Sequence, residues 1–174
     1  LLLIAARRGH LAAVRLLLAR GADFDATKGC GARGASALYV ASQMGELETV
    51  RALLDAGSDA DLGKRDGAAP LHIAARRGQA AVVTALLARG ARPDAAMSGG
   101  TTPLHIAASM GDARVVETLL RGGACATLED ERGHSAFTLM RASRRCSPGL
   151  LRALRHPPSP RALATHVFSS GAGA

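Results

Sequence analysis

Residues 70–75 and 103–108 both read Pro-Leu-His-Ile-Ala-Ala, and the two copies start 33 residues apart. Glycines repeat with the same spacing. A constant period near this length predicts a solenoid of stacked units. Because one unit cannot bury its apolar face alone, the stack leaves long surfaces open, which favours recognition over catalysis. Three glycine series carry the register: Gly34, Gly67, Gly100 and Gly133; Gly45, Gly78 and Gly111; Gly57, Gly90 and Gly123.

The composition predicts that each unit is helical. The 174 residues contain three Phe, one Tyr and no Trp, although 48% of them are hydrophobic. Small and aliphatic side chains suit thin, closely spaced helices, whereas a sheet usually needs more β-branched and aromatic residues. We therefore expect about five helical units and almost no sheet.

The fourth unit shows how one repeat should fold. Thr102 can cap a helix, because its hydroxyl can accept a bond from a free amide, and Pro103 suits the first helical position. This short first helix should end at Gly111, and a second helix should end at Gly123. The nine residues between Gly123 and Gly133 are mostly polar and predict a turn or hairpin finger. The apolar stripe of the second helix consists of Val115, Val116, Leu119 and Leu120.

This unit resembles the ankyrin repeat. The motif is carried by Thr-Pro-Leu-His at 102–105, by its altered versions at 69–72 and 36–39, and by the second-helix endings at 16–23 and 86–91. The resemblance covers residues 1 to about 135. It implies antiparallel helix pairs stacked into a curved solenoid, with fingers at one edge. It also implies that a partner binds the concave side formed by fingers and first helices.

We expect an all-α ankyrin-repeat solenoid of about four repeats plus a degenerate C-terminal capping repeat. In the capping unit Arg144 and His156 replace the glycines expected from the register, and Leu150, Leu151 and Leu154 should pack its shortened second helix. The expected divisions are a repeat domain at 1–155, made of 1–30 (truncated), 31–63, 64–96, 97–129 and the cap at 130–155, and a disordered Pro/Ser/Gly/Ala tail at 156–174.

The N-terminal unit is expected to lack its first segment. In register, Leu1 takes the position of the helix-starting Pro, so an upstream turn segment is expected to be missing. We expect Leu2 and Ile4 to be partly uncovered, which makes self-association a hazard for a chain otherwise expected to be a monomer. The apolar run at 1–6 is too short to span a bilayer, so no membrane association is expected.

The net charge of +8 is concentrated near the C-terminus. Residues 1–140 carry 16 Lys and Arg against 14 Asp and Glu, whereas 141–174 carry six Arg and no acid. This distribution supports an alternative hypothesis, nucleic-acid or acidic-surface binding through the Arg-rich segment. With only Phe168 as an aromatic, the segment is poorly suited to base stacking. Residues 160–163 resemble the start of a ubiquitin-ligase recruiting box, and Ser147 and Ser159 lie in kinase-like motifs.

The chain shows no pattern that predicts a reaction. It has no nucleophile elbow and no phosphate-binding loop, so we expect neither an enzyme nor a cofactor. His72 and His105 hold equivalent positions, and the resemblance assigns them a structural hydrogen bond between finger and first helix rather than a metal site. The odd, widely spaced cysteines Cys30, Cys125 and Cys146 indicate reduced thiols and a cytoplasmic protein, with the nucleus as a second compartment.

Candidate partner-binding residues follow the Ala-Ala of each first helix, by carry-over from the family motif. Arg pairs alternate there with pairs that contain Met, and charged finger residues extend the set. Arg suits carboxylates and Met suits adaptable apolar contacts, so an acidic or amphipathic peptide is the expected protein partner. The alternative is a solvated surface without one ligand. The candidates are Arg7, Arg8, Lys28, Arg33, Gln43, Met44, Lys64, Arg65, Arg76, Arg77, Ser109 and Met110.

Overall fold

The computed structural model describes residues 1–25, 34–143 and Leu154. Within these residues the chain forms nine α-helices and no strand, and its extended pairing is limited to isolated bridges within two fingers. The expected all-α fold is confirmed. The helices are α1 (Leu2–Arg7), α2 (Leu11–Ala19), α3 (Ala37–Met44), α4 (Leu47–Asp55), α5 (Pro70–Arg76), α6 (Ala80–Ala88), α7 (Pro103–Met110), α8 (Ala113–Arg121) and α9 (Ala136–Ala142).

The helices form two parallel rows. In the first-helix row, α1, α3, α5, α7 and α9 contact one another in that order. In the second-helix row, α2, α4, α6 and α8 do the same, and each contacts the first helix of its own unit. Four helix hairpins therefore stand side by side, followed by α9. This is the layered arrangement that the period predicted.

Helix starts and ends follow the residues that marked them in the sequence. The hydroxyl groups of Ser36 and Thr102 accept hydrogen bonds from amides three residues ahead, at 3.2 and 3.4 Å. Pro70 and Pro103 occupy the first positions of α5 and α7. Gly111 ends α7 in the left-handed conformation, with φ of +69°.

The core runs through the whole stack as one cluster of small and aliphatic side chains. Each internal first helix contributes a fully buried leucine, Leu38, Leu71 or Leu104, and its following Ala residues are also buried. The predicted apolar stripe of α8 is entirely buried, which confirms that helix's orientation. Ala side chains at the contacts let neighbouring helices approach closely, and the resulting dense packing makes each unit depend on the next.

The expectation for the N-terminal unit was half wrong. Ile4 is 52% exposed, whereas its register equivalents Ile73 and Ile106 are each 6% exposed inside the stack. Leu2, by contrast, is only 8% exposed and belongs to the main core cluster. Because α1 already packs against α2 and α3, one face of α1 is covered without any preceding unit.

A carboxylate ladder, which the sequence analysis did not find, links successive units. Asp61 accepts a hydrogen bond from the amide of Arg92 at 3.0 Å, and Asp94 accepts one from the amide of Cys125 at 2.8 Å. Asp25 stands in the same relation to Asp59, whose amide lowers the pKa of Asp25 although burial, the larger effect, raises it. The acceptor in each case belongs to one unit and the donor to the next.

The capping unit is described only in part. Its helix α9 begins after Ser135, whose hydroxyl accepts a hydrogen bond from the amide of Thr138 at 3.4 Å. Leu154 is helical, 4% exposed and part of the core cluster. The predictions for Leu150 and Leu151, for the kinase-like sites and for the tail lie outside the described residues, and the repeat boundaries stay predictions.

Ser42→Ala should stabilise the protein. Ser42 is fully buried in α3, and its hydroxyl has no hydrogen-bond partner among the described residues, whereas Ala75 and Ala108 fill the same position in later units. Removing an unpaired buried hydroxyl and adding a better helix former should raise the free energy of unfolding by about 1 kcal/mol, measured by urea denaturation. Ser109→Ala is the control, because the Ser109 hydroxyl has a partner and donates to the carbonyl of Ile106 at 2.8 Å. A lower stability of Ser42→Ala would contradict the account.

Candidate functional site

The paired candidates of the first-helix row lie at one end of that row. Arg7, Gln43, Arg76 and Ser109 fall in the last turns of α1, α3, α5 and α7, and each is followed by its paired candidate. Their side chains are exposed, apart from Gln43, which is half-buried. Since the fingers precede the first helices, these pairs lie at the end of the row that is farther from the fingers.

The structure brings one Arg pair together with one Met. Arg76 and Arg77 at the end of α5, Met110 at the end of α7 and Arg114 near the start of α8 line a shallow open groove of about 390 Å³. We call it the basic groove. Met110 is 45% exposed there, so the groove offers apolar as well as charged surface.

Asp112 forms part of the wall of the basic groove and is held by its own unit. One carboxylate oxygen accepts a hydrogen bond from the amide of Val115 at 3.1 Å, which caps α8. The other oxygen lies over Gly78, 2.7 Å from where a β-carbon on that residue would stand. Gly78 has φ of +70°, so it supplies both the left-handed turn after α5 and the space for the carboxylate.

The guanidinium groups of the basic groove are not paired internally. All 14 Asp and Glu residues of the chain lie within the described residues. Among those residues, none forms an ion pair with Arg76, Arg77 or Arg114, whereas Arg51, Arg89, Arg92 and Arg121 each have one. Three arginines therefore face one carboxylate that already caps a helix, and the groove carries net positive charge.

The finger candidates do not join the basic groove. The ammonium nitrogen of Lys64 lies 5.3 Å from the centre of the Tyr39 ring and 4.0 Å from Asp66, and the Lys64 side chain is only 19% exposed. These contacts give Lys64 an intramolecular cation–π role. Arg65 is exposed, and Lys28 and Arg33 lie outside the described residues.

Tyr39 is a buried residue, 8% exposed, whose packing the sequence analysis missed. It takes the position that His72 and His105 hold in later units, and it packs in a small apolar cluster with Val40 and Ile73. Burial raises the pKa of Tyr39, Asp66 adds to that rise, and Arg76 and Arg77 oppose it. The register could have revealed it, since Tyr appears where the motif has His.

The two equivalent histidines connect neighbouring units. The Nδ1 atoms of His72 and His105 accept hydrogen bonds from the amides of Ala69 and Thr102, each at 3.1 Å. Their Nε2 atoms lie 3.3 and 3.0 Å from the carbonyl oxygens of Thr101 and Leu128, in the next fingers. Because Nδ1 accepts, Nε2 carries the proton and donates. The predicted structural role is confirmed and extended, since each ring also bonds to the following unit.

Other kinds of site were also considered. No group of three metal-ligating side chains comes together within the part of the chain that the structure describes. Cys125 is exposed, and its hydrogen bond with Thr127 lowers the pKa of the thiol. The longest helices among the described residues have nine residues, and none of them could cross a bilayer.

Comparison with protein families identifies the class. Residues 2–97 match the model for ankyrin repeats in three copies, and residues 99–131 match the model for a single ankyrin repeat. The chain belongs to the ankyrin repeat family. Ankyrin repeats are generally protein–protein interaction modules, and the family is typically non-enzymatic. A search of curated proteins finds no match.

The stability of the protein should fall in mild acid partly because of His72. Burial, the largest influence, lowers the pKa of His72 below its ordinary value of about 6.5. The unfolded chain therefore binds this proton first, so the contribution is complete above pH 6.5 or so and is lost as the pH falls below that value. Urea denaturation between pH 7 and about 5 should show a shallower pH dependence for His72→Gln than for the unmodified chain.

The control for that measurement is His10→Gln, which changes an exposed histidine. This variant should leave in place the pH dependence that comes from the burial of His72. An identical slope for His72→Gln and the unmodified chain would show that His72 does not contribute.

Gly78→Ala should destabilise the chain and disturb the groove. A non-glycine residue at positive φ costs about 1–2 kcal/mol, and the new methyl group must also displace the Asp112 carboxylate. Gly90→Ala is the matched control, because its φ is +84° but no described residue comes within 4 Å of the added carbon. Thermal denaturation should show the larger loss for Gly78→Ala. Equal losses would mean that Asp112 moves aside without cost.

Proposed function

We propose that the chain is a non-enzymatic interaction module, an adaptor or scaffold, that binds a protein partner on the concave face formed by fingers and first helices. The observation that carries the proposal is the basic groove at the end of the first helices away from the fingers, where three arginines lie beside the exposed Met110. These arginines form no ion pair with any Asp or Glu of the chain, all of which the structure describes, so they are available for a ligand. The family's general role in protein binding supports the same conclusion.

The chemistry of the face favours an acidic amphipathic peptide or a domain that presents one. Guanidinium groups bind carboxylates through two parallel hydrogen bonds, and Lys does so less well. Met adapts its flexible thioether to apolar side chains of different shape. Together these groups suit a partner in which acidic and apolar side chains lie close to each other.

The expected location and state belong to this proposal. A cytoplasmic or nuclear module would keep the exposed thiol of Cys125 reduced, and Cys125 is free in the structure. We expect a monomer, although Leu1 and Ile4 expose apolar surface at the N-terminal end. Arg7, Arg8 and other basic side chains at that end would oppose its pairing with a second copy.

The Arg-rich C-terminal segment provides the second candidate function. Its six Arg and lack of acids favour nucleic-acid or acidic-surface binding, and its faint similarity to a recruiting box suggests a ubiquitin-ligase substrate adaptor. Removing the whole segment is not a clean test, because Leu154 is buried in the core. Replacing the arginines with Gln is cleaner and leaves Leu154 in place. Arg141 lies in α9 and is kept, and the five replaced residues are Arg144, Arg145, Arg152, Arg155 and Arg161.

A peptide selection tests the proposed face. Random dodecapeptides displayed on phage are selected on the immobilised chain, and the dissociation constants of enriched peptides are measured by fluorescence anisotropy. Reversing the charge of all four paired arginines should weaken binding by about tenfold or more, because guanidinium contacts at the face are lost. The variant is Arg7→Glu, Arg8→Glu, Arg76→Glu and Arg77→Glu.

The control changes net charge by the same amount on the other row. It combines Arg15→Glu, Arg20→Glu, Arg51→Glu and Arg121→Glu, which are exposed residues of α2, α4 and α8 or their ends. This control and the Arg→Gln variant of the C-terminal segment should bind nearly as well as the unmodified chain. The proposal would be overturned if the enriched peptides bound the face variant as tightly as the unmodified chain. It would also be overturned if their affinity fell steeply with salt and this salt dependence disappeared in the Arg→Gln variant of the C-terminal segment.

A further inference from the structure

At two places in the stack, an Arg pair in one unit is followed by a Met in the next unit, and we call each place a step. The two steps differ in the residues around them. Arg7 and Arg8 stand one unit before Met44, just as Arg76 and Arg77 stand one unit before Met110. The sequence therefore made both steps equal candidates for an acidic ligand. The second helices that complete the two steps are α4 and α8, and their first residues differ in charge.

Aligning α4 with α8 shows where the charges fall. Glu46 precedes α4 and covers Gly9, as Asp112 precedes α8 and covers Gly78. One position into each helix, α4 has Glu48 where α8 has Arg114. The N-terminal step thus combines two arginines with Glu46 and with Glu48, which is ion-paired to Arg51 at 2.9 Å, whereas the basic groove combines three arginines with one aspartate.

The excess of positive charge is therefore larger at the basic groove than at the N-terminal step. The finger after α8 carries the acidic residues Glu129, Asp130 and Glu131. A nucleic acid needs positive charge along its whole track, and base stacking needs aromatic side chains, which the lining of the basic groove does not include. A single local cluster beside an apolar Met is better matched to one or two side chains of a peptide.

We propose that the basic groove anchors an acidic peptide, with a carboxylate held by Arg76, Arg77 and Arg114 and a neighbouring apolar side chain held against Met110. The N-terminal step does not serve as a second anchor, because Glu46 and the Glu48–Arg51 ion pair stand where the basic groove has Asp112 and Arg114, which has no ion pair with a described carboxylate. This inference rests on the proposed function and assigns that function to one site on the face.

A defined peptide tests the assignment on the full chain. The probe is fluorescein-labelled Gly-Glu-Asp-Leu-Glu-Glu-Leu-Gly, and its matched control replaces Glu and Asp with Gln and Asn. Binding is followed by fluorescence anisotropy at near-physiological salt. Arg76→Glu with Arg77→Glu should weaken binding of the acidic probe by about tenfold, and Arg7→Glu with Arg8→Glu by less than about twofold. The amide probe should bind weakly to every form.

A gain of binding provides the second measurement, which no folding defect can imitate. Glu48→Arg gives the N-terminal step the charge composition of the basic groove, three arginines and one carboxylate, at an exposed position. When Glu48→Arg is added to the Arg76→Glu, Arg77→Glu variant, the affinity for the acidic probe should rise at least about fivefold above that of the variant. Arg114→Glu in the unmodified chain should weaken binding, because it gives the basic groove the composition of the N-terminal step.

Several results would overturn the inference. The first is an equal loss of affinity when either Arg pair is changed, and the second is no binding of the acidic probe. The third is that the amide probe binds as tightly as the acidic probe. The fourth is that a single-stranded oligonucleotide binds more tightly than the acidic probe and depends on Arg76 and Arg77. If both pairs matter equally while the four-residue face variant still abolishes peptide binding, the anchor is wrongly assigned but the proposed function stands. If the face variant has no effect, the proposed function fails as well.

Discussion

The contact between neighbouring helix hairpins is the interaction on which the whole structure depends. Helices of six to nine residues are too short to persist alone in water, so their stability must come from packing. Each internal unit buries a leucine and adjacent alanines against the units beside it. The histidine and carboxylate bonds between units then fix how each hairpin sits on its neighbour, which is why a short local pattern specifies an extended solenoid.

Much of this architecture could be predicted because the marks that define a repeat are local. Thr102 and Pro103 start a helix, Gly111 ends it, and the period places the next copy. The burial of Leu2 could not be predicted in this way. Its burial depends on the faces of α1 that α2 and α3 cover, and the position of Leu1 at the start of the register does not show those contacts.

The sequence predicted which positions belong to the candidate site, but it did not predict how charge is distributed among them. The register located Arg76, Arg77 and Met110, but Arg114 enters the groove from the following helix, and its role appears only when the α7–α8 hairpin is packed against the preceding unit. Lys64 was equally basic in the sequence, yet it lies against Tyr39. Whether a charged side chain is available depends on its neighbours across units, which the linear pattern does not contain.

The carboxylate ladder gives the solenoid a chemical direction. Each link runs from a side-chain acceptor in one hairpin to a backbone donor in the following one, so the two ends of the stack are not equivalent. The series stops at Thr127, which stands 33 residues after Asp94 and whose hydroxyl is engaged with the sulfur of Cys125. The junction between the fourth unit and α9 therefore lacks this carboxylate link, and it depends instead on the packing of α9 against α7.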